Sequence, residues 1–150
     1  MEKVATAYAQ AVQDIDDKML TDPTHHPWYN HVTQLPEDQR TTYLAIIFHD
    51  QVMNGGFHQY FFNGYGLFVN QTIPVLKKIG AAEAAQLLAM AYATVNWRKE
   101  PLAIFRDKIY HRSYRELTDE SDMTQALYAL SDQYFDKEID VESLLIAYLS

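Results

Sequence analysis

The chain contains no cysteine. Disulfides, thiol nucleophiles and thiolate zinc sites are therefore excluded, and a reducing cytoplasm is the expected compartment. Long apolar runs are also missing. None approaches the roughly 18 residues of a membrane span, and the opening Met-Glu-Lys-Val-Ala-Thr-Ala-Tyr lacks the apolar stretch of a secretory leader. Glycine and proline are scarce, at five each in 150 residues. There is no Gly-x-Ser-x-Gly, no phosphate-cradling glycine loop and no His-Glu-x-x-His. Positive charge is in short supply: 12 Lys and Arg stand against 20 Asp and Glu, for a net charge of −8. Duplex DNA presents one negative charge per roughly 1.7 Å, so direct binding of nucleic acid is disfavoured.

What is present reads as helix. Hydrophobic residues make up 48% of the chain, which argues against disorder, and a chain of this length buries about 70% of its unfolded surface. Val4, Tyr8, Ala11, Val12, Ile15 and Met19 fall on one stripe and predict an N-terminal helix over about 2–20. The prolines of Thr21–His31 break it. Pro36, Glu37 and Asp38 suit a helix's first turn, and Leu44, Ile47, Phe48 and Val52 form its buried stripe. Further stripes predict helices over 69–79, 81–95, from Pro101, over 123–134 and over 141–148, the last capped by Asp140. No sustained period-2 pattern occurs. The reading is all-α: one compact multi-helix bundle of about seven helices, a single domain over 1–150, with no significant sheet.

One stretch differs from the rest. Val52–Gly66, VMNGGFHQYFFNGYG, holds four of the five glycines among a run of aromatics. Asn54-Gly55-Gly56 stops a helix cheaply, because glycine and asparagine reach left-handed backbone. Phe57, Tyr60 and Phe61 lie at i, i+3 and i+4, so one further helical turn presses all three inward. Asn54, His58, Gln59 and Asn63 are placed to bond the free groups of two abutting helix ends, and Asp50 to cap the turn or tie Asn54 and Gln59. The same residues admit a second reading as a small-ligand pocket with aromatic walls. His49, Asp50 and His58 would form an acid–base group if they converged.

Phe48–Gly66 resembles the signature of a bacterial domain-of-unknown-function family that includes the DNA-mimic protein nineteen. The pattern Asp-x-x-Val-x-Asn-Gly-Gly-Phe-x-Gln-Tyr-Phe-x-Asn falls on Asp50, Val52, Asn54, Gly55, Gly56, Phe57, Gln59, Tyr60, Phe61 and Asn63. Leu35-Pro36, Ile79-Gly80-Ala81 and the C-terminal LSDQYFDKEIDVESLLIAYL extend the likeness over about 35–149. Gly64-Tyr65-Gly66 stands where members usually carry a small polar pair. The resemblance implies an all-helical fold. It implies little about activity, beyond one acidic member whose carboxylates imitate DNA phosphates and so occupy a transcription factor.

Charge is spread unevenly. Residues 1–75 carry −5, residues 76–115 carry +5, and residues 116–150 carry −8. A phosphate mimic needs unpaired carboxylates on one face. Asp132, Asp136 and Asp140 are spaced by four, about 6 Å per step on a continuous helix, and Glu138 and Glu142 repeat the step. Glu116, Asp119, Glu120 and Asp122 add a cluster upstream. Such a run is also what a solvated face looks like, and the Asp-Lys-Glu-Ile-Asp stretch reads as a break between helices. The basic segment Trp97–Arg115 interleaves Arg98, Lys99, Arg106, Lys108, Arg112 and Arg115 with aromatics. In an acidic chain it is expected to pair internally or with a second copy, so a homo-oligomer is compatible with the sequence. His25, His26 and His31 lack the spacing of metal ligands. No metal, cofactor or membrane is called for. The expectation is a non-catalytic helical domain that contacts a protein partner through its acidic C-terminal third, with a basic DNA-binding protein as the candidate. The alternative is a ligand-binding or enzymatic pocket at the Asn54–Asn63 corner.

Overall fold

The computed structural model describes residues 1–150 and is helical throughout, with no strand. Nine α-helices follow one another: α1 (Glu2–Val12), α2 (Asp17–Leu20), α3 (His26–Thr33), α4 (Glu37–Phe62), α5 (Val69–Lys78), α6 (Ala82–Val95), α7 (Leu102–Tyr110), α8 (Asp122–Asp136) and α9 (Val141–Leu149). Single turns of 3₁₀ helix at Tyr65–Phe68 and Arg115–Leu117 complete the chain.

The count exceeds seven because of the N-terminal region. The stripe over 2–20 is not one helix. α1 ends at Val12, and Asp16 adopts an extended backbone with its side chain accepting the Met19 N–H at 2.8 Å. That cap starts a new helix where hydrophobic periodicity alone would continue the old one. The proline-rich segment also holds a helix, α3. Pro27 lies in its first turn, where the missing N–H has no intrahelical partner to lose.

α4 is the central rod, with α1, α5, α8 and α9 packed around it. Its front half buries Tyr43, Leu44, Ile47, Phe48 and Val52. α8 starts with a reciprocal cap between Ser121 and Thr124, and α9 is capped by Asp140, which accepts the Ser143 N–H at 3.0 Å. Thirty-seven buried residues form one continuous apolar core. Its largest members, below 2% exposed, include Phe48, Phe57, Tyr60, Phe61, Phe68, Phe105 and Tyr134. Each such ring contributes on the order of 1.5–3 kcal/mol through burial. No helix is long and apolar enough to cross a membrane.

Candidate functional site

α4 kinks inside the glycine-rich stretch. Gly55 (φ −150°, ψ 18°) and Gly56 (φ 74°, ψ −175°) leave helical geometry, and the helix resumes at Phe57. Only glycine enters the conformation of Gly56 without strain, and an added Cβ there would lie 2.5 Å from Ser131 Oγ. The kink redirects the chain so that Phe57, Tyr60 and Phe61 are buried at 0%, 0% and 1% exposure. Phe48 meets Tyr60 and Tyr134 edge-to-face, with ring centroids 5.4 and 5.7 Å apart, and Phe57 meets Tyr134 likewise at 5.9 Å. Gly64, at φ 89°, turns the chain out of the corner.

The kink frees backbone donors. Ser131 Oγ on α8 accepts the Phe57 N–H at 2.9 Å and donates to Leu127 O at 2.8 Å. On the outer side the amides form a ladder. Asn54 Nδ2 donates to Gln59 Oε1 at 3.1 Å; Gln59 Nε2 and Asn63 Nδ2 both donate to Gln51 Oε1 at 3.0 Å. His58 Nε2 sits 2.6 Å from Leu117 O. Asn54, Gln59 and Asn63 thus face one another through Gln51 and do not line a common cavity. His49 pairs instead with Tyr134, Nδ1 to OH at 2.7 Å, so His49 and His58 serve different partners. Burial pushes the His49 imidazole below its usual pKa, against the opposing pull of Asp50 and Asp140. Asp50 is exposed and neither caps the turn nor bonds Asn54 or Gln59. It borders a cleft of about 290 Å³ between α1, α4 and α9.

Ser131 and Gln51 were not singled out from the sequence. Ser131 carried a legible signal, a hydroxyl on the buried stripe of Leu127, Leu130 and Tyr134. Gln51 carried none, since a glutamine on a half-exposed helix face is ordinary.

The C-terminal carboxylates behave differently from one another. Glu116 is taken up by Arg98 at 2.8 Å. Its pKa is held low by its own backbone N–H, then by Arg98 and Trp97. Asp119, Glu120, Asp122, Asp132, Asp136, Glu138, Asp140 and Glu142 are exposed, and none joins an ion pair. The one cation of residues 116–150, Lys137, is turned to Glu83 at 3.0 Å. Asp132 and Asp136 lie one turn apart on α8. The row stops there, because Glu138 takes a left-handed backbone at φ 50° and the chain turns into α9. Asp140 is held acidic chiefly by the Ser143 N–H and hydroxyl.

The basic segment is largely tied down within the chain. Arg98 pairs with Glu116, and Lys108 with Glu100 at 2.6 Å. Arg106 donates to Tyr29 OH at 3.1 Å and Arg112 Nε to Phe62 O at 3.1 Å. No group of three or more His, Asp or Glu side chains is placed to hold a metal ion.

An all-helical core pinned by a kinked, aromatic-rich central helix defines the class of protein. The DMP19-like protein family model matches residues 33–150, and the chain belongs to that family. No curated protein and no solved structure matches it.

Proposed function

We propose that the chain is a non-catalytic interaction domain whose acidic C-terminal third engages a basic protein partner. One observation carries this reading. Eight exposed carboxylates between Asp119 and Glu142 have no cationic partner, while the only cation of that region is spent on Glu83. Unpaired like charge opposes the compact state, and Asp132 with Asp136 at i, i+4 costs a few tenths of a kcal/mol. A surface kept at that cost suits attraction of an oppositely charged one, which accelerates encounter and selects partners. Resemblance to a family with one acidic member that imitates DNA supports a DNA-binding protein as that partner, its phosphate-binding surface occupied by these carboxylates. Asp122, Asp132 and Asp136 lie on α8, Glu142 on α9 and the other four in the flanking turns, so the imitation would not follow one continuous row.

The other reading, a ligand or enzymatic pocket at Asn54–Asn63, has less to rest on, because the amides there are engaged with one another.

The test is an affinity capture from the native lysate using the full chain as bait. A specific basic partner should be retained at low salt and released near 0.5 M, where the Debye length falls to roughly 4 Å. The triple variant Asp132→Lys, Asp136→Lys, Glu142→Lys should lose it. A partner held equally by that variant, or undisturbed by salt, defeats the reading.

A further inference from the structure

We propose that the cleft between α1, α4 and α9 binds a small organic cation, an ammonium group carried on an apolar body. The walls are apolar: Val4, Ile46 and Val141 contribute aliphatic surface, and Tyr8 contributes a ring. Asp50 and Glu142 stand in this mainly apolar lining beside His49, both exposed, with no ion pair and no side-chain hydrogen bond. The amide and imidazole side chains of Asn54–Asn63 bond one another, Gln51 or the backbone, and Asp50 takes part in none of those bonds. Two free carboxylates beside an aromatic ring form the chemistry that recognises an ammonium ion, through charge-assisted hydrogen bonds and, from the ring's face, a cation–π contact. An anion would be repelled, and a neutral ligand would leave both carboxylates unused.

His49 completes the set. Its Nδ1 is committed to Tyr134 OH at 2.7 Å, which leaves Nε2 without a protein partner. Burial keeps this imidazole neutral near pH 7, so it supplies a polar contact and no competing charge. The cleft measures about 290 Å³. A water needs about 10–15 Å³ of such a cleft, so it has room for about twenty, well beyond the bulk of a single lysine side chain, which favours a free ligand over an inserted side chain.

This inference stands apart from the acidic-face reading, with which it shares only Glu142. The probe is phenethylamine, titrated into the full chain and followed by NMR. Saturable shifts are expected at Tyr8, Ile46 and Val141. Asp50→Asn and Glu142→Gln should each weaken binding about tenfold, the scale of one charge-assisted contact. Both side chains are exposed and unbonded, so the variants should keep the parent melting temperature. The neutral isostere 2-phenylethanol should bind at least about tenfold more weakly. Asp14→Asn, an exposed carboxylate outside the cleft, should leave phenethylamine binding unchanged. Absence of shifts, equal binding of the alcohol, or an equal loss in Asp14→Asn would overturn the proposal. So would tighter binding of N-acetyl-lysine methylamide than of phenethylamine, which would assign the cleft to a partner's side chain.

Discussion

Ser131 on α8 holds the backbone of Phe57 on α4, its Oγ 2.9 Å from the Phe57 nitrogen. The bond spans 74 residues of sequence and closes the gap that the glycine kink opens in α4. Ser131 is itself buried at 3% exposure, so no water stands ready to replace it. Ser131→Ala should cost about 1–3 kcal/mol, the penalty of leaving a buried donor unpaired. Urea denaturation should show the midpoint falling with an unchanged slope. A loss below about 0.5 kcal/mol would mean that the kink is held by the rings alone.

Gly56 lies against the same hydroxyl. Gly56→Ala combines a positive φ with a Cβ 2.5 Å from Ser131 Oγ. It should destabilise by at least about 1 kcal/mol through backbone strain alone. The contact with the hydroxyl disappears when Ser131 is already alanine, although its Cβ stays 3.1 Å away. The double variant should therefore be less damaged than the sum of the two single ones, by about 0.5–3 kcal/mol for residues in contact. Strict additivity, measured by the same denaturation series, would show that strain at Gly56 does not depend on Ser131.

The amide ladder is more exposed and should matter less. Gln51 Oε1 accepts from both Gln59 and Asn63. Gln51→Ala removes both bonds, yet the freed amides reach water, so the cost should stay near 1 kcal/mol or less. Gln51→Glu keeps an acceptor and should recover the parent melting temperature. A large loss on Gln51→Ala with no recovery by glutamate would assign Gln51 a packing role.

These three residues also show where the sequence was readable. Glycines beside Phe57, Tyr60 and Phe61 predicted a reversal that buries rings, since spacing and backbone freedom are local properties. Asp140 as the cap of α9 was legible for the same reason. The division at Asp16 was not, because a capping bond to Met19 interrupted a stripe that hydrophobic periodicity alone extends to residue 20. α3 was hidden by reading Pro27 as a breaker when it occupies a first turn. Gln51 and the carbonyl of Leu117 became visible only in three dimensions, since nothing local marks a partner 8 or 59 residues away. The family signature was legible, and its match covers residues 33–150.

Buried histidines should make stability fall in mild acid. His49 and His25 both have pKa values lowered from the ordinary 6.5, first by burial; for His25 the neighbouring His26 and Arg106 add to it. The unfolded chain then binds protons more readily, so their contribution is full above about pH 6.5 and declines as pH falls towards the folded values. His111 works the other way. Its ring nitrogens face Pro23 O at 2.8 Å and Asp107 O at 2.9 Å, which raises its pKa, so its contribution is present in acid and fades as pH rises. Denaturation at pH 7.5 and 5.5 should show a net loss in acid. His49→Phe should shrink that loss, and His111→Gln should enlarge it. A loss unchanged by His49→Phe would place the titration elsewhere.

Asp132 and Asp136 separate stability from interaction. They stand one turn apart on α8 with no cation between them, Lys137 being held by Glu83. Asp132→Asn should therefore raise stability by about 0.2–0.5 kcal/mol at low ionic strength, and the gain should vanish near 0.5 M salt, where the repulsion is already screened. If the acidic face contacts a basic partner, the same variant should bind that partner more weakly while folding more firmly. Opposite signs from one substitution distinguish a surface kept for contact from one kept for the fold. A variant that loses stability would mean that Asp132 supports α8 through a bond in solution, and that the acidic face is not a surface of unpaired charge.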